Sequence, residues 1–560
     1  MVGAQPVIKD RSYRQRLEAR FPLLLAALSL AALLSYYAKQ QLLLYGDAVA
    51  HINIARRIVD NRHPMLALQY LGTVWLPLQH IAMLPFVWSD GLWRSGVAGA
   101  IPGMVAYVLG TLAVFRLVSA HASQLAAYAA AAIYALNPNL LYLQTTAMNE
   151  PIFLALFLWT LVYLDEFARA VGAFGELHGQ QIPRGLTPAR DDKRGGWPDR
   201  QSQQSLELCG ITLAGAAFTR YDGWFIAPII LLIVLAMFAR GWRRTFGVRQ
   251  RRRTAKSLVE VLLLNALVPV FWLVQTRSAS GKALDFLNGP YSAKAIAVRS
   301  GTIQYPGKDH LLTAALYFLK SAKLNVGAGW WSEALFALAV AGTALAILRF
   351  RRRWTLLLLW LPFVFYTLSV AYGSVPIYIP VWWPFSYYNV RYGLELLPVF
   401  CVFPALLAGW AADRANTSPM QLVLWAALAV AIAGCYVSVW LQSPITLREA
   451  EVNSRSRIAL EEGLAAKLSA LPQPATLLMY EAEHVGALQR AGIPLRGVIS
   501  EAEHPNWEWA LLDPARYADF MIGCQGDPVW AATRQHRTDV RELVTISAPG
   551  QAPCAIYERR

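Results

Sequence analysis

Charge is scarce in this chain. Only 15% of its 560 residues are Asp, Glu, Lys or Arg, against about 25% in a typical soluble domain. A soluble enzyme of this length would need far more polar surface, so much of the surface must face something other than water. Disorder is excluded by the 56% hydrophobic and 12% aromatic content, because disordered chains are poor in both. Cysteine is scarce too: five residues and no Cys-x-x-Cys pair, which argues against a zinc or redox framework. The Walker A loop, the HExxH helix and the GxSxG elbow are all missing. Nucleotide hydrolysis, zinc proteolysis and serine-hydrolase chemistry therefore lack support. Acidic residues are outnumbered, 35 against 51 Lys and Arg, a bias that fits either nucleic acid or a membrane surface.

What the chain has is long apolar runs. About 20 apolar residues cross a bilayer, and eleven stretches approach that length: 21–43, 97–115, 125–140, 151–168, 206–219, 225–239, 258–276, 331–348, 354–372, 392–412 and 420–440. The apolar stretch 66–88 carries Pro77, His80 and Pro85 and reads as re-entrant or interfacial. With the N-terminus inside, the inner segments hold 25 Lys and Arg in 100 residues and the outer loops 13 in 140. That is the positive-inside bias. Segment 240–257 alone carries eight, among them Arg251, Arg252 and Arg253. It lies between two spans, so it reads as a cytoplasmic anchor, and no nucleic-acid partner is implied.

The first apolar segment follows a basic start without a small-residue cleavage site and reads as an uncleaved signal anchor. An odd number of spans places everything after residue 440 outside. The expected fold is a mainly α polytopic membrane protein over 1–440 with about eleven transmembrane helices. A small extracytoplasmic α/β domain follows over 441–560. In that tail, β-like runs at 475–480, 495–500, 518–523, 540–547 and 554–558 alternate with helical stretches, which predicts a mainly parallel sheet. Residues 169–205, rich in Gly, Pro, Arg and Gln, read as a cytoplasmic linker. Cys524 and Cys554 are the tail's only cysteines and could bridge in an oxidising compartment, unless parallel strands miss the geometry. Cys209, Cys401 and Cys435 fall in spans as packing residues.

Ionisable residues beside spans are costly and mark function, and here they gather on one side. Asp47 and His51 follow the first span, and Glu150 precedes Pro151. Arg220 and Asp222 form a tight turn between spans, and Arg391 and Glu395 begin the tenth. All seven map to the outer face. Simpler readings exist for each. Asp47 can cap a helix, or share a face with His51 and hold a metal. Glu150 can favour a helix start, Arg220 and Asp222 can stabilise their turn, and Arg391 with Glu395 can be an ordinary i,i+4 pair. Arg in an outer loop rich in Tyr and Trp also suits phosphate. Glu-Ala-Glu-His occurs twice, at 481–484 and 501–504. Both copies sit at strand ends, where polar loops are expected, and they are not read as a metal site.

The order of Gly46-Asp47, His51, Gly72-Thr73-Val74-Trp75-Leu76-Pro77-Leu78, Glu150 and a late Arg391-Tyr392 with Pro398 resembles the GT-C superfamily of membrane glycosyltransferases. Within it, the chain is similar to lipid A aminoarabinose transferases, protein O-mannosyltransferases and lipopolysaccharide-core sugar transferases. The likeness spans roughly residues 20–440. It implies a polyprenyl-phosphate-linked sugar as donor and a glycan, lipid or protein acceptor on the outer face of the inner membrane. Asp47 then matches the first-loop Asp at the acceptor, Glu150 the second-loop acidic residue, and Arg391 a basic residue near the lipid phosphate. The chain departs from its relatives in three places. Trp75-Leu76-Pro77-Leu78 replaces a Lys before Pro-Pro-Leu, Ala48 follows Asp47 where mannosyltransferases have Glu, and no WWDYG occurs, which argues against N-glycan transfer.

The chemistry agrees independently. Nucleotide sugars are cytoplasmic, so a sugar used outside must arrive on a lipid. A carboxylate (Asp47 or Glu150) would take the acceptor's proton. A cation (Arg391, or less directly His51, Arg299 or Lys308) would meet the departing phosphate, with Arg220, Asp222 and Glu395 lining the substrate. No cofactor is certain from the sequence; a divalent metal is possible but not favoured, and metal dependence is left open. A transporter or flippase for lipid-linked saccharides is the alternative, though no repeat supports it. An O-antigen-type ligase would instead use the loop 277–330.

Overall fold

The computed structural model describes residues 7–170, 200–244, 248–299, 304–415 and 417–560. The helices, in chain order, are α1 (Val7–Ala38), α2 (Gly46–Val59), α3 (Leu78–Val87), α4 (Asp90–Ser95), α5 (Val97–Ser119), α6 (Gln124–Ala135), α7 (Pro138–Leu143) and α8 (Glu150–Ala170). Then come α9 (Arg200–Ala217), α10 (Tyr221–Arg244), α11 (Val248–Ser280), α12 (Asp285–Asn288), α13 (Ala293–Arg299), α14 (Leu311–Val326) and α15 (Trp330–Leu348). The last are α16 (Phe350–Leu357), α17 (Leu361–Tyr372), α18 (Leu397–Ala412), α19 (Ser418–Gln442) and α20 (Ile445–Leu468), followed in the tail by α21 (Glu481–Ala491), α22 (Asn506–Leu512), α23 (Pro514–Tyr517) and α24 (Pro528–Gln535).

Nine of the described helices are long and apolar enough to cross a membrane, so the expected count of eleven is not met on length and composition. The two remaining expected spans are interrupted or polar. The stretch 125–140 is α6, 12 residues long, broken from α7 at Asn137-Pro138. Proline has no N–H to give a helix interior, and Asn137 Oδ1 accepts from Leu140 N at 2.9 Å to cap the new start. The stretch 206–219 lies in α9, whose first residues are Arg and Gln. Even so, α9 runs antiparallel beside α8: Ser205 Oγ donates to Glu166, and Thr160 Oγ1 to Thr212 Oγ1 at 3.0 Å. Segment 124–147 lies just as closely along α5. A Cβ added at Gly99 would stand 2.3 Å from the Cβ of Ala147, and such close backbone approach is how small residues pack membrane helices.

The stretch 66–88 does not cross. It forms a 3-10 segment, Pro64–Leu71, and the ten-residue α3. Leu263, Leu267, Val270 and Val274 on α11 are exposed, which makes an apolar face that water would not favour. The linker expected at 169–205 begins inside α8 and ends inside α9; its residues 171–199 lie outside the described residues.

The tail holds a five-stranded sheet of β1 (Leu477–Met479), β2 (Val498–Ile499), β3 (Phe520–Cys524), β4 (Val540–Ile546) and β5 (Cys554–Arg559) in the order β2-β1-β3-β5-β4. The strands and helices fall where the sequence places them, but the sheet is mixed. β1 is parallel to β2 and β3, while β5 is antiparallel to β3 and β4. The short connection 547–553 cannot carry a crossover, so β4 and β5 must form a hairpin. Because β5 runs antiparallel to β3, Cys524 and Cys554 are register partners and form a disulfide. Cys209, Cys401 and Cys435 are free and buried.

Candidate functional site

A 3-10 turn, Val390–Leu396, presents Arg391 and Glu395. Asn389 precedes it with φ 55, a left-handed value that Asn tolerates, and its Nδ2 donates to Pro376 O at 2.9 Å. Val390 O accepts from Ser321 Oγ and Asn325 Nδ2, each at 2.8 Å. Gly393 lets the turn press on α14, since a Cβ there would lie 2.6 Å from Ala322 N.

Arg391 is buried and all three of its nitrogens meet carboxylates. Nη2 donates to Asp47 Oδ2 at 2.6 Å, Nε to Glu150 Oε1 at 3.2 Å, and Nη1 to Glu449 Oε1 at 3.0 Å. Its backbone N–H also donates to Glu449 Oε2 at 3.1 Å. Arg220 is the second cation. It pairs with Glu150 Oε1 at 3.1 Å and Asp222 Oδ2 at 3.3 Å, and lies 3.7 Å from Glu395 Oε1. It donates as well to Asn149 Oδ1 and, at 2.7 Å, to Tyr366 Oη, which in turn donates to Asp222 Oδ2 at 2.7 Å. The Tyr392 ring lies 5.0 Å from the Arg391 guanidinium and 5.1 Å from that of Arg220, a cation–π arrangement. Such a network is worth more in a low-dielectric interior than in water.

Six of the expected residues, Asp47, Glu150, Arg220, Asp222, Arg391 and Glu395, thus converge. Two of the simpler readings fall away, while Glu150 does begin α8. Tyr45, not Asp47, is the N-cap of α2, and no side-chain cap bond forms. Arg220 and Asp222 do pair in their turn, but Arg220 also reaches two other helices. Arg391 and Glu395 are not partners; neither oxygen of the buried Glu395 accepts a hydrogen bond. The cluster contains five carboxylates, and they differ sharply in exposure. Glu150 and Glu395 side chains are 0% exposed, Glu449 1% and Asp222 5%, while Asp47 is 41% exposed.

His51 shares α2 with Asp47 but turns inward. Its Nδ1 lies 2.9 Å from His80 Nε2, and its ring is 4.7 Å from that of Trp75. Burial drives the His80 pKa down to about 3, and burial together with His80 holds His51 well below the usual histidine value. Asp47 and His51 thus have different partners, Arg391 for the carboxylate and His80 for the imidazole. Lys308 stands in the turn ahead of α14, where its N–H donates to Tyr305 O at 3.2 Å. The Arg299 side chain lies outside the described residues.

Sequence reasoning gave no site role to Glu449, Tyr366, Asn149 or His80, although His80 marked the stretch 66–88 as unusual. Glu449 belongs to α20, in a stretch assigned to the tail without any element. The signal for it was the helical run from Ile445 to Leu468, polar enough to pass for a solvated surface.

No family model matches the chain, and no curated protein matches it. Solved structures do. The crystal structure of ArnT from Cupriavidus metallidurans bound to undecaprenyl phosphate is similar at a TM-score of 0.55 and 11% identity, covering 95% of this chain and 97% of that one. ArnT in the apo state is similar at 0.51 and 12% identity, with the same coverage. Archaeal AglB from Archaeoglobus fulgidus, at 0.44 and 15% identity over 91% of this chain and 70% of that one, is too loose a likeness to carry an argument. Agreement over nearly the full length of both chains, at identities this low, establishes architecture: this polytopic helical protein with its small C-terminal sheet has the ArnT fold.

Proposed function

We propose that the chain is an inverting glycosyltransferase that moves a hexosyl or pentosyl unit from a polyprenyl-phosphate donor to an acceptor hydroxyl outside the membrane. The fold supports this, since ArnT has been captured with undecaprenyl phosphate, and so does the resemblance of the motifs. The observation that carries the proposal is the exposure pattern: among five clustered carboxylates, Asp47 alone is open, and a buried arginine holds it.

In the proposed reaction, the acceptor oxygen attacks the anomeric carbon as the bond from that carbon to the phosphate oxygen breaks. The phosphate leaves with the bonding electrons, and the hydroxyl proton passes to the Asp47 carboxylate. Glu150, sealed between Arg220 and Arg391, acts as a positioning residue. Nη2 of Arg391 is its only nitrogen bonded to an open carboxylate, so the lipid phosphate would meet Arg391 there, beside Asp47. The ArnT-like fold supports an inner-membrane setting, and loop charge with the odd span count expected from the sequence puts the N-terminus in the cytoplasm and the tail outside.

The test is mass spectrometry of lipid co-purified with the protein, followed by transfer from a radiolabelled polyprenyl-lipid extract. A sugar-bearing polyprenyl phosphate that is consumed is expected. An extract from which no sugar leaves its lipid would overturn the proposal.

A further inference from the structure

We infer that the C-terminal domain is a clamp on α2, with Arg57 as the positioning residue that fixes the helix bearing Asp47; the catalytic half of this inference rests on the function proposed above. Three residues of α2 and its C-cap, Asn53, Arg57 and Asp60, recur at helical spacing and so share a face. The tail takes all three. Asn53 Nδ2 donates to Gln489 Oε1 at 2.8 Å, and Gln489 Nε2 donates to Trp93 O at 2.7 Å. Asp60 Oδ2 accepts from Leu495 N at 2.9 Å.

Arg57 carries the grip. Its side chain is 4% exposed and donates to Leu495 O at 2.5 Å, Val498 O at 3.2 Å, Ser500 Oγ at 3.0 Å and Glu503 Oε1 at 3.4 Å, as well as to Glu481. Burial alone would lower its pKa, but Glu481 and Glu503 outweigh that and raise it. The doubled Glu-Ala-Glu-His motif finds its use here. β1 and β2 are parallel neighbours, and the two copies begin just beyond their C-terminal ends. Glu481 N donates to Glu501 Oε2 at 2.9 Å, and Glu481 and Glu503 take Arg57. Carboxyl ends of parallel strands are where α/β sheets open a crevice for ligands. In this sheet the guanidinium of α2 meets the residues just beyond the carboxyl ends of β1 and β2.

The other end of α2 is held from α20. Arg457 Nη2 donates to Leu43 O at 3.2 Å and Leu44 O at 2.8 Å while its Nη1 is braced by both oxygens of Glu461 at 2.8 Å. If adhesion were all that was needed, apolar contact would serve at less desolvation cost. A fan of directional bonds to one guanidinium sets the rotation and axial position of the helix instead. Arg57 stands ten residues beyond Asp47, about 15 Å along the axis, so a turn of α2 at one end is read at the other.

The test compares the full-length protein with Arg57→Gln, using hydrogen–deuterium exchange and transfer from the radiolabelled polyprenyl-lipid extract. The clamp predicts about tenfold faster exchange across residues 46–59, with α5 and α8 unchanged. It also predicts kcat lower by about 10–100-fold at unchanged KM, with partial recovery in Arg57→Lys. Glu481→Gln, which keeps the guanidinium, should give a smaller change in the same direction, and it decides the matter if Arg57→Gln does not fold. Unchanged exchange in α2 overturns the clamp. Faster exchange with unaltered kcat overturns the positioning role. If the wild-type protein transfers no sugar, the proposed function fails, and the exchange data still judge the clamp.

Discussion

Replacing Asp47 by Asn separates a base from a structural ion pair. Asn keeps an oxygen that can accept from Arg391 Nη2, 2.6 Å away, and loses only the charge and the ability to take a proton. With Asp47 41% exposed, its pairing energy is of the exposed kind, about 0–1 kcal/mol after solvent screening. Stability should therefore move by no more than about 1 kcal/mol. Turnover should fall about 10²–10⁴-fold, which is about 3–5 kcal/mol on the barrier. The assay is transfer from a radiolabelled polyprenyl-lipid extract by detergent-purified protein, with thermal melting measured on the same preparations. A variant that melts like wild type but keeps more than about a tenth of its turnover would refute the assignment. The base would then have to be sought at Glu150, despite its burial.

Other outcomes follow from the same geometry. Glu449→Ala leaves Arg391 buried with a bond unmet and should destabilise the protein by about 3–5 kcal/mol, read as a lower melting temperature together with loss of transfer. Replacing Cys524 and Cys554 by Ser opens a loop of sequence separation 30, worth about 3–4 kcal/mol by loop entropy; in the native chain, equal labelling of both thiols by a membrane-impermeant reagent without reduction would contradict the bridge. Glu501 is held up at about pH 7 by burial and by Glu481, and its unfolded value is near 4.3. The folded state therefore binds the extra proton, and tail stability should fall as pH rises from about 4.3 to 7 and then level off. Glu501→Gln should flatten that slope in melts taken across the range. A reporter active only in the cytoplasm, fused after Arg560, should stay silent.

Much of the site was legible because its residues are expensive where they stand. Asp47, Glu150, Arg220, Asp222, Arg391 and Glu395 interrupt apolar sequence at the outer ends of spans, and loop charge alone put them on one face. Glu449 escaped notice for the opposite reason: it lies among Arg448, Glu451 and Arg455, where another charge attracts no attention, and only the docking of α20 buries it. Tyr366 is unremarkable in an apolar run, and nothing local announces that its hydroxyl joins Arg220 to Asp222. The stretches 125–140 and 206–219 were legible as apolar runs, but the break at Pro138 and the polar start of α9 keep each from forming one long apolar helix. In the tail, alternating strands and helices gave the element order but not the direction of β5, which depends on a hairpin connection too short to cross over.

The course of α20 bears on how far this protein is modular. Glu449 near its start reaches Arg391, and Arg457 two turns later braces the approach to α2. A cut at the apparent end of the membrane portion would remove a ligand of the central arginine along with the tail. A chimera that exchanges the C-terminal sheet among proteins of this fold should therefore splice after Leu468, and one spliced at residue 441 should require a compatible acidic residue in the incoming helix. Seen this way, α20 belongs to the membrane part by its contacts and to the tail only by sequence position, and the portion that can be exchanged is the sheet without its leading helix.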